Sequence, residues 1–208
     1  MLLVVGGHTR NIGKTSVVAG LIRALPEANW TAVKITQFGH GVCAAEGGNC
    51  DCATGLDHPY AISEEYEPND TDSGRFLAAG AKRAFWLRTA VGQLATVVPS
   101  LRKIVSAAEN TIVESNSLLD FFEPDLFLMV LDFSKEDFKE SSLRVLTRAD
   151  ALIVINPGRI EPPWRDVPHS LLNAKTQFGV EPPYYVTAAI SKFVRSRLTP
   201  VTVSPSSR

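Results

Sequence analysis

The sequence predicts an α/β fold in which a mostly parallel sheet carries helices on both faces. Strand-like and helix-like segments alternate along the chain, as in strand–helix–strand units. Several strand candidates are apolar throughout, which is typical of strands that helices cover on both sides. A glycine-bearing loop joins the first strand to the first helix. At 208 residues the chain is long enough for one domain with a full core, predicted over residues 1–198.

The first strand, loop and helix have the arrangement that wraps a nucleotide's phosphates. The apolar segment 1–5 leads into a loop ending in Gly-Lys-Thr, and a helix predicted over 17–25 stops before Pro26. Loop N–H groups and an open helix N-terminus attract anions. Lys14 adds a positive charge for the β- and γ-phosphates, and the Thr15 hydroxyl can hold Mg²⁺. The predicted nucleotide contacts in this loop are Asn11, Ile12, Gly13, Lys14, Thr15 and Ser16.

The loop departs from the usual spacing of such motifs. Four residues normally separate the two glycines of such a motif. Counted back from Gly13, that spacing places the first glycine at position 8, but position 8 is His8 and Gly7 lies one residue further back. The structural alternative is a tight strand-to-helix turn with a solvent-facing lysine. His8 itself is expected to shape the loop or to lie at the phosphate edge.

The remaining elements continue the alternation. Strands are predicted over 31–35, 83–88, 111–114, 126–132, 151–156 and 184–186, and helices over 72–81, 99–108 and 188–198. Pro99 suits the first turn of its helix. The segment 38–69 is predicted to be a long loop, which in a compact domain is functional or disordered. The segment 199–208 is predicted to be a flexible tail.

Polar residues end four of the predicted strands: Lys34, Glu114, Asp132 and Asn156. Ligands of open parallel sheets bind at the carboxyl ends of the strands, so these side chains are candidates for one site. Each residue taken alone also suits a strand end that meets water or caps a helix.

The composition excludes several classes of partner. The formal net charge is −1 and no basic tract occurs, so neither nucleic acid nor an anionic membrane surface is expected as a partner. No apolar run reaches the roughly 20 residues of a membrane-spanning helix, and no charged leader precedes the first strand. Three cysteines, an odd number, argue against a disulfide framework and favour a reducing cytoplasm.

The three cysteines lie together in the long loop. Cys43, Cys50 and Cys52 are flanked by His40 and His58. Thiolate and imidazole ligands suit Zn²⁺ or Ni²⁺, so the three cysteines and His58 form a candidate transition-metal site. A redox-sensitive loop and an accidental grouping are the alternatives, because the spacing is not that of a structural zinc finger.

Four segments resemble a group of P-loop NTPases that includes dethiobiotin synthetase, the molybdopterin-guanine dinucleotide biosynthesis B protein and the nickel-insertion GTPases of urease and hydrogenase. The spacing from Gly7 to Gly13 resembles dethiobiotin synthetase. The segments AVKITQ (32–37) and PNDTDSGRFLAAGA (68–81) look like the molybdopterin protein, and IVESNSL (112–118) resembles the nickel GTPases. The resemblance implies the three-layer fold of P-loop NTPases.

The resemblance also implies roles for individual residues. Glu114 would be the second acidic Mg²⁺ contact, and Asp72 would lie near the γ-phosphate as a metal-binding or water-orienting carboxylate. Lys34 would assist the γ-phosphate and a carboxylated substrate; the alternative is a solvated strand-end lysine. Among the basic residues of segment 75–88, only Arg75 is a phosphate candidate, and the others are expected to be exposed.

The base of the nucleotide depends on a partial motif. Asn156 matches the first residue of the guanine-reading Asn-Lys-x-Asp motif, but Pro157 and Arg159 replace its lysine and aspartate. The missing aspartate favours ATP slightly over GTP.

Three functions fit these observations. The first is Mg²⁺-dependent hydrolysis of ATP or GTP in cofactor or metal-centre assembly, with a protein partner and a homodimer. The second is a ligase or small-molecule kinase similar to dethiobiotin synthetase. The third is a nucleotide-gated binding module without turnover.

Overall fold

The computed structural model describes residues 1–38, 60–155 and 161–198. Eight strands in these ranges form one sheet: β1 (Leu2–Gly7), β2 (Trp30–Phe38), β3 (Tyr60–Glu65), β4 (Arg83–Ala90), β5 (Asn110–Glu114), β6 (Leu126–Asp132), β7 (Ala151–Ile155) and β8 (Thr176–Val180). The α-helices are α1 (Lys14–Ala24), α2 (Asp72–Ala78), α3 (Leu94–Ser106), α4 (Glu140–Leu146), α5 (His169–Asn173) and α6 (Ala188–Arg195).

The sheet places β1 near its centre. Its order is β3-β4-β2-β5-β1-β6-β7-β8, and every neighbouring pair is parallel except β3 with β4. Glu114 of β5 is in register with Val5 of β1 on one side and with Lys34 of β2 on the other. The loop after β1 and the polar ends of β2 and β5 therefore lie at the same edge of the sheet.

Helices cover both faces of the sheet. One apolar layer joins the sheet to α1, α2 and α6 through residues such as Leu21, Phe76 and Ile190. The other joins it to α3 and α4 through residues such as Leu101 and Leu146. All seven residues of β6 are buried, as expected for a parallel strand covered on both sides. The predicted α/β fold is confirmed.

Both edge strands of the sheet differ from the sequence prediction. β3 lies inside the segment predicted to be a loop. Most of its side chains are half-buried, whereas those of a central strand are apolar and fully buried. The last strand is β8, and the predicted strand 184–186 is wrong. Tyr184 is 78% exposed, and its N–H donates to the Glu181 carbonyl at 2.8 Å in a turn. Edge strands lack the continuous apolar run that marks a central strand.

Two helix boundaries also differ. α3 begins at Leu94, and Pro99 lies inside it rather than in its first turn. The buried residues Leu94, Val97 and Leu101 follow helical spacing, so packing on the sheet outweighs the interruption that proline causes. α2 ends at Ala78, shortly before Gly80, whose φ is 103°. Among the described helices, none is long and apolar enough to cross a membrane.

Candidate functional site

The loop between β1 and α1 is a tight turn. Asn11 and Gly13 have left-handed backbone conformations, with φ of 53° and 83°. Glycine adopts this region freely and asparagine tolerates it. A β-carbon on Gly13 would overlap the ring of Tyr185, so the approach of Tyr185 also requires glycine at this position. The loop is thereby held against the start of α1.

The first turn of α1 leaves backbone donors open. The N-cap residue Gly13 has no side chain that could accept a helix N–H, and the first intrahelical bond joins the Val17 N–H to the Gly13 carbonyl at 2.9 Å. The N–H groups of Lys14, Thr15 and Ser16 precede that bond and have no acceptor within the helix. These donors and the helix dipole make this end of α1 attractive to an anion.

Lys14 is folded over the loop. Its Nζ donates to the Thr9 carbonyl at 2.6 Å. Its stem passes Gly7 so closely that a β-carbon there would lie 2.9 Å from Lys14 Cδ. Burial lowers the pKa of Lys14 to about 8, against the attraction of Glu114. An anion bound beside it would favour the charged ammonium.

Asn116 holds the start of the loop from behind. Its Oδ1 accepts the Gly7 N–H, and its Nδ2 donates to the Gly7 carbonyl, both at 2.9 Å. Ser142 of α4 donates to the same carbonyl at 3.0 Å. A β-carbon on Gly6 would overlap Asn116 Oδ1, so glycine makes room for this amide. No local pattern in the sequence predicts this role of Asn116, because Gly7 lies more than a hundred residues away.

His8 shapes the loop from inside the protein. It is 0% exposed, and its Nε2 accepts the Asp132 N–H at 3.1 Å. Nδ1 therefore carries the proton and donates to the Asp137 carbonyl at 2.8 Å. Burial lowers the pKa of His8 to about 4, so the ring is neutral near pH 7. The ring of Trp164 packs against it with centroids 4.6 Å apart.

Four of the predicted site residues meet at the sheet edge. Lys34 Nζ lies 2.6 Å from Glu114 Oε1 and 2.6 Å from Asp72 Oδ2. The Thr15 hydroxyl donates to Glu114 Oε2 at 2.8 Å, and hydrogen bonding by Thr15 also contributes to the lowered pKa of Asp72. The side chain of Glu114 is 3% exposed and that of Asp72 is 40% exposed. The cluster thus runs from the buried sheet edge out to solvent.

Opposite charges favour the charged forms of Lys34 and Asp72. Burial lowers the pKa of Lys34, but the carboxylates of Glu114 and Asp72 outweigh burial and the net pKa is raised. Burial raises the pKa of Asp72, but the ammonium of Lys34 outweighs it and the net pKa is lowered. One ammonium is shared by two carboxylates, so oxygen atoms of Glu114 and Asp72 could also contact a second cation.

Arg75 lies on the solvent side of this cluster. Its Nη2 donates to Ser16 Oγ at 3.3 Å, and its Nη1 lies 3.9 Å from Asp72 Oδ1. A guanidinium beside the first turn of α1 is placed to contact a phosphate. In the loop itself Asn11 is exposed, whereas the side chain of Ile12 is buried, and their contacts with a nucleotide stay predictions.

Glu65 and Asn69 hold the start of α2, the helix that carries Asp72. Glu65 accepts the Ser73 hydroxyl at 2.6 Å and the Asn69 side-chain N–H at 2.9 Å. Asn69 Oδ1 in turn accepts the Thr71 N–H at 2.9 Å. Sequence reasoning missed Glu65 because it ends β3, which was predicted to be loop.

Of the other strand-end candidates, Asp132 organises the loop that follows β6. Its Oδ1 accepts the Ser134 N–H at 2.9 Å and the Ser134 hydroxyl at 2.6 Å. Asn156 lies outside the described residues, so its nucleotide contact stays a prediction.

The candidate transition-metal ligands also lie outside the described residues: Cys43, Cys50, Cys52 and His58. Binding of Zn²⁺ or Ni²⁺ there stays a prediction. Across residues 1–38, 60–155 and 161–198, no group of three or more His, Cys, Asp or Glu side chains is placed to hold a metal ion.

Comparison with known proteins gives only distant likenesses among solved structures. No protein-family profile and no curated protein matches the chain. Among solved structures, LpxK from Aquifex aeolicus, described as an apo form in complex with ATP, is similar at 16% identity with a TM-score of 0.48. The similarity covers 86% of this chain and 53% of LpxK, so the chain spans about half the length of that protein.

Proposed function

We propose that this chain binds a nucleoside triphosphate with Mg²⁺ and promotes the transfer of its γ-phosphoryl group to water. The observation that carries the proposal is the position of Lys14 and Thr15 at the open start of α1, with Glu114 and Asp72 beside the Thr15 hydroxyl. Phosphoryl transfer needs chiefly positioning and charge neutralisation, which is what loop N–H groups, lysines and a bound cation supply.

The oxygen atoms of Thr15, Glu114 and Asp72 suit Mg²⁺. This ion prefers hydroxyl and carboxylate oxygens and is commonly held by one or two carboxylates together with substrate phosphates and water. The two carboxylates already share a cation, because the Lys34 ammonium lies 2.6 Å from each. When bound, Mg²⁺ would neutralise charge on the β- and γ-phosphates.

Two lysines act on different parts of the nucleotide in this proposal. Lys14, over the loop, contacts the β- and γ-phosphates once it leaves the Thr9 carbonyl. Lys34 lies between the carboxylates and fixes Asp72, which orients the attacking water. Arg75 adds charge from the solvent side.

The support for a particular pathway and for the base of the nucleotide comes from the sequence alone. The replaced lysine and aspartate after Asn156 support ATP over GTP. The resemblance to molybdopterin and nickel accessory proteins supports a role in cofactor or metal-centre assembly, with a homodimer and a protein partner. This part of the proposal predicts slow turnover that the partner stimulates.

Transfer to a small-molecule acceptor is the second candidate. It is favoured by Lys34, which lies beside a half-buried polar face of β2 and β4. It predicts that ADP is released faster when an acceptor is present.

A thermal-shift panel tests the proposed function. ATP, ADP, GTP and GDP are each added with Mg²⁺ to the full chain and to Lys14→Ala. A nucleotide at about 100 times its Kd should stabilise the wild type by about 3 kcal/mol, and Lys14→Ala should lose this shift. The nucleotide with the largest shift identifies the base. No shift with any of the four would contradict the proposal.

A further inference from the structure

Beside the phosphate site, β2 and β4 present a half-buried face that the proposed chemistry does not use. Paired residues on neighbouring strands point to the same face of a sheet, as do residues two apart on one strand. Lys34 pairs with Glu114 and with Trp86, and Thr36 pairs with Arg88. Thr36, Trp86 and Arg88, here called the side face, therefore share the face of the sheet that carries Lys34 and Glu114.

Trp86 and Arg88 form a fixed aromatic and cationic pair. The guanidinium carbon of Arg88 lies 4.6 Å from the centroid of the Trp86 ring. Trp86 Nε1 donates to Thr36 Oγ1 at 3.0 Å, which sets the ring orientation. Both members of the pair are half-buried, so the expectation of an exposed Arg88 is wrong. Partial burial strengthens the attraction between a guanidinium and a ring.

Arg88 has hydrogen-bonding capacity that the protein leaves unused. Among the described residues, no carboxylate lies within ion-pair distance of its guanidinium. In the part of the chain that the structure describes, its Nε is buried without a hydrogen-bond acceptor, whereas its two Nη atoms are not buried and make no hydrogen bond. The Nη atoms are therefore the donors that a bound oxyanion could reach.

Arg83 on the same strand shows the contrasting arrangement. Its guanidinium lies over the Phe85 ring at 4.7 Å, but it also donates to both carboxylate oxygens of Glu64, at 2.6 and 2.8 Å. Two arginines on β4 thus stack on aromatic rings, and Arg88 is the one without a carboxylate among the described residues.

The side face lies within reach of the phosphate site. Arg88 is two residues beyond Trp86, the partner of Lys34, so Lys34 and Arg88 are diagonal neighbours on parallel strands, with Cα atoms roughly 8 Å apart. A small molecule held at Arg88 would extend toward the Lys34 ammonium and the Asp72 carboxylate. That is where the γ-phosphate is expected.

We propose that Trp86 and Arg88 bind a small molecule bearing a carboxylate or phosphate, which lies beside the γ-phosphate as a second substrate. The inference rests on the proposed nucleotide site and on the second candidate function, transfer to a small-molecule acceptor, and it names the class of that acceptor. The oxyanion accepts hydrogen bonds from the unused N–H groups of Arg88, because a planar guanidinium can donate to two oxygens of one oxyanion at once. The apolar part of the molecule packs along Trp86.

Tryptophan fluorescence of the full chain tests this inference directly. The chain has three tryptophans, and Trp30 and Trp164 are 1% and 4% exposed, so a ligand-induced change reports on Trp86. Benzoate and phenyl phosphate are titrated separately with saturating Mg²⁺ and ADP. At least one should quench the fluorescence, and the tighter of the two distinguishes a carboxylate from a phosphate ligand.

Matched variants give the test its controls. Arg88→Gln should weaken binding about tenfold, as expected for a lost charge-assisted contact. The affinity of Arg88→Lys should lie between those of Arg88→Gln and the wild type. Arg83→Gln should bind like the wild type, and Trp86→Phe should lose the signal. Equal binding by wild type and Arg88→Gln, or no quenching by either compound up to about 10 mM, would overturn the inference.

The nucleotide is measured separately by calorimetry. Arg88→Gln should bind Mg²⁺ and ATP as the wild type does. A wild type that fails to bind nucleotide contradicts the proposed function, whereas a side face that fails to bind either compound contradicts only the inference about the second substrate.

Discussion

The ammonium of Lys34 lies 2.6 Å from a carboxylate oxygen of Glu114 and 2.6 Å from one of Asp72. It joins three elements, because Lys34 is in β2, Glu114 ends β5 and Asp72 begins α2. Glu114 is 3% exposed, and without Lys34 this buried carboxylate would keep only weaker compensation from the Thr15 hydroxyl and from Lys14. The lysine therefore stabilises the site at the same time as it neutralises the carboxylates that Mg²⁺ would use.

Replacing this lysine is expected to destabilise the protein and make it respond to Mg²⁺. Lys34→Met should lower the free energy of unfolding by about 2–3 kcal/mol, less than for a fully buried pair because Asp72 is screened by solvent. Mg²⁺ should restore more stability to this variant than to the wild type. Denaturant titration with and without Mg²⁺ measures both effects.

Lys82→Met is the control for that experiment. Lys82 is 64% exposed and lies 3.9 Å from Glu109, so its loss should change stability by less than about 0.5 kcal/mol. If Lys34→Met lost no more stability than Lys82→Met, the ion pairs of Lys34 with Glu114 and Asp72 would have no structural importance.

The affinity for nucleotide is expected to fall as the pH rises through about 8. Burial lowers the pKa of Lys14 to about 8 in the free protein, whereas bound phosphates favour its charged form. Above that pH, binding requires the uptake of a proton, so affinity should drop by up to about tenfold per pH unit. Calorimetric Kd values between about pH 7 and pH 9 test this; a Kd independent of pH would contradict it.

Acid is expected to destabilise the protein through His8. The pKa of His8 is lowered to about 4, below the usual 6.5, so the unfolded chain binds the proton first as the pH falls. Stability should therefore decline between pH 6.5 and about 4, by on the order of 3 kcal/mol from this group. Denaturant titrations across this range measure the slope.

Two variants isolate the contribution of His8. His8→Gln keeps an acceptor for the Asp132 N–H and removes the titrating ring, so its stability should depend less on pH over this range. His169→Gln changes an exposed histidine and should keep the wild-type slope. An unchanged slope in His8→Gln would show that another group is responsible.

Glu65 is expected to act on nucleotide binding through α2. Glu65→Ala removes the acceptor of Ser73 and Asn69, and should lower stability by about 1–2 kcal/mol. The first turn of α2 should exchange its amide hydrogens faster, and affinity for the nucleotide with Mg²⁺ should fall because Asp72 is less well held. Hydrogen exchange and calorimetry measure these effects.

Glu64→Ala is the matched control on the same strand. Glu64 pairs with Arg83 near the surface, so its loss should leave exchange in α2 and nucleotide affinity unchanged. Equal effects from the two variants would remove the case for Glu65 as a positioning residue.

Local patterns predicted the central part of the fold and of the site. Lys14 and Thr15 are contiguous with their glycine loop, and Glu114 ends a strand whose burial shows in its apolar sequence. Their meeting with Lys34 follows from strand order and register, because the ends of parallel neighbours share one edge.

The parts that sequence missed depend on distant partners or on edge strands. Asn116 bonds to Gly7 and His8 bonds to Asp132, contacts that no local spacing encodes. β3 is an edge strand without an apolar run, so Glu65 was assigned to a loop. Arg88 resembles any strand-end arginine in the sequence, and only its stacking on Trp86 reveals the half-buried position.

Binding calorimetry with Mg²⁺ and ATP on wild type, Lys14→Ala and Lys103→Ala tests the central claim most directly. Lys103 is an exposed lysine on α3, far along the chain from the loop. The account predicts saturable 1:1 binding by the wild type and Lys103→Ala, and a loss of at least about tenfold in affinity for Lys14→Ala. No binding by the wild type, or equal binding by all three proteins, would contradict it.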